Sequence, residues 1–144
     1  MNDSSVSVAK IAQILDLKNF TDNIELKKIK ITSSDVNRPA LQLTGYFEHF
    51  EQSRIQMIGN VEYAYIQQMN DEEKRIRYSA FLQFEIPCVI FCRDLQPDAI
   101  FIEQAEKNHV PILGTSRPTS EFMAELIYKQ KKKLAPCITV HGVL

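Results

Sequence analysis

Apolar and polar positions along this chain switch between two periods. Val8, Ile11, Ile14 and Leu15 recur at helical spacing, which predicts a short amphipathic helix over 7–16. Residues 26–32 (LKKIKIT) alternate apolar and polar, the pattern of a half-buried strand. Pro39 suits the first turn of a short helix, where its missing N–H leaves nothing unpaired, and Gly45 would stop that helix. Residues 54–58 (RIQMI) read as a second strand and 61–68 as a helix. Asn70 supplies an N-cap for a further helix from Asp71 to Phe84, with acids in its first turn and Lys74, Arg75 and Arg77 later, matching the helix dipole.

Pro87 ends that helix, and Cys88, Val89, Ile90, Phe91 and Cys92 follow as one apolar run, typical of a strand buried on both faces. Pro97 opens a helix reaching Asn108, residues 110–113 form a strand that Gly114 breaks, and 118–134 is a long helix. Phe122, Met123, Leu126 and Ile127 lie on one face of that helix. Pro136 breaks it, and 138–144 begins a fresh apolar strand. Strand and helix in alternation predict an α/β fold: a small, mostly parallel sheet flanked by helices. Residues 1–134 are expected to form an N-terminal α/β domain. Residues 135–144 then read as a linker and the first strand of a following domain, so the chain reads as the front part of a longer protein.

The 144 residues are enough to bury a core without disulfides or metal. A formal net charge of -1 argues against general affinity for nucleic acid or an anionic membrane, which needs a basic excess. The N-terminus lacks the basic segment and apolar run of a secretory signal, and no apolar stretch has the length of a membrane span. An odd set of cysteines, Cys88, Cys92 and Cys137, suggests reduced thiols and a cytoplasmic protein.

Complete catalytic motifs are missing. GxxxxGK[ST], GxGxxG and GxSxG are all absent, and Gly45, Gly59, Gly114 and Gly142 are scattered rather than gathered in a loop. Cys88 and Cys92 share a strand face but lie too far apart for a metal pair, so they read as buried structural thiols. Lys129, Lys131, Lys132 and Lys133 read as a solvated helix end. His49 and His109 fall in loops, where exposed roles are expected. The most distinctive stretch runs from Ser34 to Phe47 and places Asp35, Asn37 and Arg38 directly after the strand at 26–32. Ligands of open α/β sheets gather beyond the carboxyl ends of strands. Asp35 and Arg38 therefore either bind an anion or close a structural salt bridge. The loops at 35–46, which hold these residues with Gly45 and Tyr46, at 54–59, and at 114–119, where Thr115, Ser116 and Arg117 precede a helix N-terminus, are the candidate site for a nucleotide or sugar phosphate.

Four stretches taken together, 34–47, 54–59, 87–93 and 134–144, resemble in order and spacing the N-terminal domain of the bacterial HPr kinase/phosphorylase family. The run from Pro111 to Thr115 before a helix also fits. The resemblance implies a two-domain enzyme whose C-terminal domain carries the phosphate-binding loop, with 135–144 leading into it. That enzyme phosphorylates a serine of HPr, the phosphocarrier of the sugar phosphotransferase system, with ATP or pyrophosphate and Mg²⁺. It also removes the phosphate by phosphorolysis, forms hexamers and serves carbon catabolite control. The implied N-terminal domain is similar to that of Mur ligases. It holds no cofactor of its own and acts in assembly or regulation. The family's active-site histidine corresponds to His141, which without the loop lysine, the serine on Mg²⁺ and the acid/base aspartate performs no chemistry. The resemblance names HPr as partner and adds neither nucleic acid nor membrane. Ala40 and Cys137 depart from the family pattern, and 60–84 matches in pattern only.

Overall fold

The computed structural model describes residues 5–134. The region 135–144, with His141 and the expected fresh strand, lies outside the described residues. In chain order the elements are β1 (Val6–Ser7), α1 (Val8–Ile14), β2 (Lys18–Asn19), β3 (Lys30–Ile31), β4 (Val36–Asn37), α2 (Ala40–Leu43), β5 (Ile55–Ile58) and α3 (Asn60–Gln67). They continue with α4 (Asp71–Leu82), β6 (Val89–Phe91), α5 (Ala99–Lys107), β7 (Ile112–Gly114) and α6 (Thr119–Leu134). A five-stranded sheet has the order β2-β7-β6-β5-β4. Strands β4, β5, β6 and β7 are parallel, and β2 closes the β7 edge antiparallel, with Lys18 opposite Gly114. The expected small, mostly parallel sheet flanked by helices is therefore what forms. A separate antiparallel ribbon pairs β1 with β3.

The central strands are apolar on both faces, and each face meets its own helices. Ile55, Met57, Cys88, Ile90, Cys92 and Leu113 point to one side and pack with Val8, Ile11 and Leu15 of the α1 region and with Phe122 and Leu126 of α6. Ile58, Val89, Phe91 and Ile112 point to the other, against Tyr78, Phe81, Leu82, Phe101 and Ala105 of α4 and α5. Burying one such side chain is worth about 1.5–3 kcal/mol. The sheet is thus sandwiched between helix layers, and chemistry is left to its strand ends. Local signals set the helix starts: Asn70 Oδ1 accepts from the Glu73 N–H at 2.8 Å, and Glu73 reaches back to the Asn70 N–H at 3.0 Å. Asp98 caps α5 through the Phe101 N–H at 2.8 Å. Gly45 sits at φ 98, the left-handed region that ends α2, with the Arg77 guanidinium lying against it.

Two expectations are corrected. The run 26–32 is not one strand: Leu26–Lys28 forms a 3-10 turn and only Lys30–Ile31 is extended. Its alternation was satisfied by a ribbon that pairs with β1 outside the main sheet. Asp35, Asn37 and Arg38 do not follow a strand as a loop, because Val36–Asn37 is itself the edge strand β4. Among the described residues no helix is long and apolar enough to cross a membrane.

Candidate functional site

Polar groups gather where β4 and β5 end. Asn37 and Gln56 are register partners on neighbouring parallel strands. Asn37 Nδ2 donates to Gln56 Oε1 at 2.6 Å and to Gln42 Oε1 at 3.2 Å, and the fully buried Gln56 donates in turn to the Arg54 carbonyl at 2.9 Å. The next residue, Arg38, forks onto Glu62 of α3: Nε donates to Oε2 at 3.1 Å and Nη2 to Oε1 at 2.7 Å. The Glu62 side chain is only 2% exposed, whereas that of Arg38 is 35% exposed. Glu62 also accepts the Gly59 N–H at 2.9 Å, so it caps α3 from the third helical position.

Gly59 is a glycine because of what crowds its Cα. A methyl group there would lie 2.5 Å from Thr119 Oγ1 and 2.8 Å from Arg38 Nη2. Thr119 opens α6 and is buried, its Oγ1 enclosed between Gly59 and the Cys92 thiol. Cys92 lies beside it at the end of β6. Burial pushes the Cys92 thiol up to about 11, with a hydrogen bond from the Thr119 hydroxyl and the Arg38 guanidinium pulling the other way. Burial alone pushes Cys88 up to about 12. Both thiols stay protonated at neutral pH and are poor nucleophiles.

Beside Gly59 an open cleft of about 480 Å³ lies between the starts of α3 and α6. Arg38, Arg93, Thr119 and Ser120 supply its polar groups, and Val61, Met123 and Ile127 an apolar wall. Arg93 and Asp94 both adopt left-handed backbone, at φ 61 and 58, and are held there by N–H bonds to the Arg117 and Thr115 carbonyls at 3.0 and 2.9 Å.

The residues singled out in the sequence divide among different places. Arg38 lines the cleft and Asn37 anchors the strand that delivers it. Asp35 and Arg38 do not pair: Asp35 faces Arg54 at 3.8 Å, while Arg38 takes Glu62. Gly45 ends α2, and Tyr46 is exposed with its hydroxyl on Glu48 at 3.2 Å. Thr115 lines a different recess of about 170 Å³ with Lys18 and Phe20, and its Oγ1 accepts the Arg117 N–H at 3.3 Å. Gly59 and Thr119 fall within the candidate loops 54–59 and 114–119, whereas Glu62, Arg93 and the tie of Asn37 to Gln42 and Gln56 were not anticipated. Gln56 inside an otherwise apolar strand, and an acid three residues after Gly59, were the available signals.

Known proteins resemble this chain in sequence or in fold. The family described as HPr Serine kinase N terminus matches residues 6–129. HPr kinase/phosphorylase of Lachnoclostridium phytofermentans is 44% identical over 140 residues, covering 97% of this chain and 45% of the relative. That of Caldanaerobacter subterraneus subsp. tengcongensis is 41% identical over 139 residues, covering 96% and 45%. The chain thus spans less than half the length of these curated relatives. A solved structure of the CBS and DRTGG domains of the regulatory region of Clostridium perfringens pyrophosphatase, complexed with its activator diadenosine tetraphosphate, aligns with a TM-score of 0.58. That alignment has 19% identity and covers 86% of this chain and 46% of the other, a likeness of fold. A match of this breadth, on a sheet of the expected kind, shows that the chain belongs to the HPr serine kinase N-terminal family.

Proposed function

We propose that this chain serves as the N-terminal assembly or regulatory domain of an HPr kinase/phosphorylase and transfers no phosphoryl group itself. The observation that carries the reading is the family match over 6–129, set beside relatives in which this sequence accounts for 45% of the length. The whole enzyme would phosphorylate a serine of HPr with ATP or pyrophosphate and reverse the reaction by phosphorolysis. It would work in the cytoplasm as a hexamer. Its nucleotide and Mg²⁺ belong to sequence outside the described residues. Among the described residues no group of three or more His, Cys, Asp or Glu side chains gathers as a metal site. His141 is assigned to the active site of the whole enzyme, near the phosphates, where an imidazole can donate hydrogen bonds to phosphoryl oxygens.

The test is direct. The 144-residue chain is assayed for ATP- or pyrophosphate-dependent phosphorylation of the HPr serine, alongside the protein read through the gene beyond Leu144. The chain alone is expected to be inactive and the longer protein active. Robust transfer by the chain alone would overturn the reading.

A further inference from the structure

Helix α6 joins the fold along one side. Phe122 and Leu126 are fully buried in the core that covers the sheet, and Thr119 is buried at the helix start. Positions 121, 124, 128 and 131 follow at steps of three, four and three, so they share a different side of the helix. The first three of them, Glu121, Ala124 and Tyr128, are exposed, and Tyr128 keeps 62% of its surface open. Acids early in a helix and lysines late complement its dipole, but the dipole gives no reason for an aromatic ring on the outer side. Glu121 is also unlike the other acid of α6. Glu125 is engaged by Arg117 at 3.4 Å and Lys129 at 3.3 Å, whereas Glu121 has no ion pair among the described residues.

Along the helix this strip reads acid, small, aromatic, base: Glu121, Ala124, Tyr128, Lys131. That order complements its own reverse. Turn a second strip end for end about a two-fold axis level with Leu126, which lies midway between 121 and 131 and between 124 and 128. Position 121 then faces 131, and 124 faces 128, on both sides of the axis. Opposite charges meet at each end, and each aromatic ring lies over an alanine, the large-against-small match that packed helices use. A parallel pair would instead set Glu121 against Glu121. We infer that α6 pairs antiparallel with α6 of a second copy of this chain through this strip. The interface supplies a contact for the assembly reading above and rests on that reading. A helix of 16 residues is about 24 Å long, so the pair buries an area at the low end of specific interfaces.

Sedimentation equilibrium of the 144-residue chain, at low ionic strength and up to about 1 mM protein, tests the pairing. A monomer–dimer equilibrium with a Kd on the order of 0.1 mM is expected. Glu121→Lys and Lys131→Glu each set like charges face to face at both ends of the pair and should weaken the dimer about tenfold or more. Combining them restores opposite charges and should bring the Kd back to within about threefold of the parent. Only a register that sets 121 against 131 gives that rescue. Tyr128→Ser should weaken the dimer about tenfold as well. Glu121 and Tyr128 are exposed, so their replacement leaves the core intact. The pairing is overturned if the chain stays monomeric at about 1 mM, if any single variant leaves the Kd unchanged, or if the double reversal dimerises no better than the single ones. A monomeric chain that is inactive on HPr removes this interface alone, whereas a chain that phosphorylates HPr removes the reading above whatever its mass.

Discussion

Replacing Arg38 by Met should destabilise the domain more than its surface position suggests, because the cost falls on Glu62. The Glu62 carboxylate is 2% exposed and is held by both Arg38 bonds and the Gly59 N–H. An exposed ion pair contributes about 0–1 kcal/mol, whereas removing one partner of a buried pair costs about 3–5 kcal/mol. The Arg38 side chain is 35% exposed, so water can enter on its side once it is gone, and the expected loss is about 2–3 kcal/mol. Glu62→Gln keeps a carbonyl for the Gly59 N–H and removes the buried charge, costing about 1–2 kcal/mol. The double variant has no orphaned charge and should lose about as much as Glu62→Gln alone, giving a coupling of about 2–3 kcal/mol. Urea unfolding followed by circular dichroism measures all four proteins, and equal m values would confirm that the shifts are stability differences. If the single losses add to within about 0.5 kcal/mol, the fork is a solvated contact and the reasoning fails.

Gly59→Ala should cost about 1–3 kcal/mol by overpacking, and combining it with Thr119→Ala should cost less than the sum, since the closest clash, 2.5 Å to Oγ1, disappears. Chemical denaturation reads this, and strict additivity would refute it. Alkaline stability follows from the thiols: Cys88 and Cys92 keep their protons in the fold up to about 12 and about 11. Unfolded cysteines lose theirs near pH ~8.5. Between those limits the folded chain binds more protons, so stability present below pH ~8.5 is lost as pH rises, by up to about 1.4 kcal/mol per unit for each thiol. Cys88→Ala should flatten that decline, and an unchanged slope would refute the assignment. Tyr78→Phe removes the 2.8 Å bond to Asp98 and should cost about 1–2 kcal/mol in thermal unfolding. Asn70→Ala removes the α4 cap at a cost of about 1 kcal/mol, with amide exchange rising first in α4.

The sequence announced the parts of the fold whose signals are local. The apolar run at 88–92 became the central strand β6, and Asn70, Pro39 and Gly45 marked helix ends close to where the chain makes them. Two-residue strands carry no period long enough to read, so β1, β2 and β4 were invisible. LKKIKIT looked like a strand because a 3-10 turn followed by a short ribbon offers the same alternation. At the site, Arg38 and Asn37 stood out as polar residues in a distinctive stretch. Their partners did not, because Glu62 lies 24 residues away and Thr119 meets Gly59 only once β5 and α6 have been assembled around the sheet.

Gln56 explains how that assembly aims Arg38. In a four-residue strand whose other members are Ile55, Met57 and Ile58, a buried amide is costly, about 1–3 kcal/mol unless its groups are bonded. They are bonded, to Asn37 on the neighbouring strand and to the backbone before β5. An apolar residue at position 56 would pack as well but would leave β4, only two residues long, without a side-chain tie to its register. A slip of one residue would turn Asn37 to the opposite face and carry Arg38 away from Glu62. The amide clamp therefore sets where the arginine emerges and the carboxylate fork sets where it points. Together they hold the guanidinium beside Gly59 and Thr119.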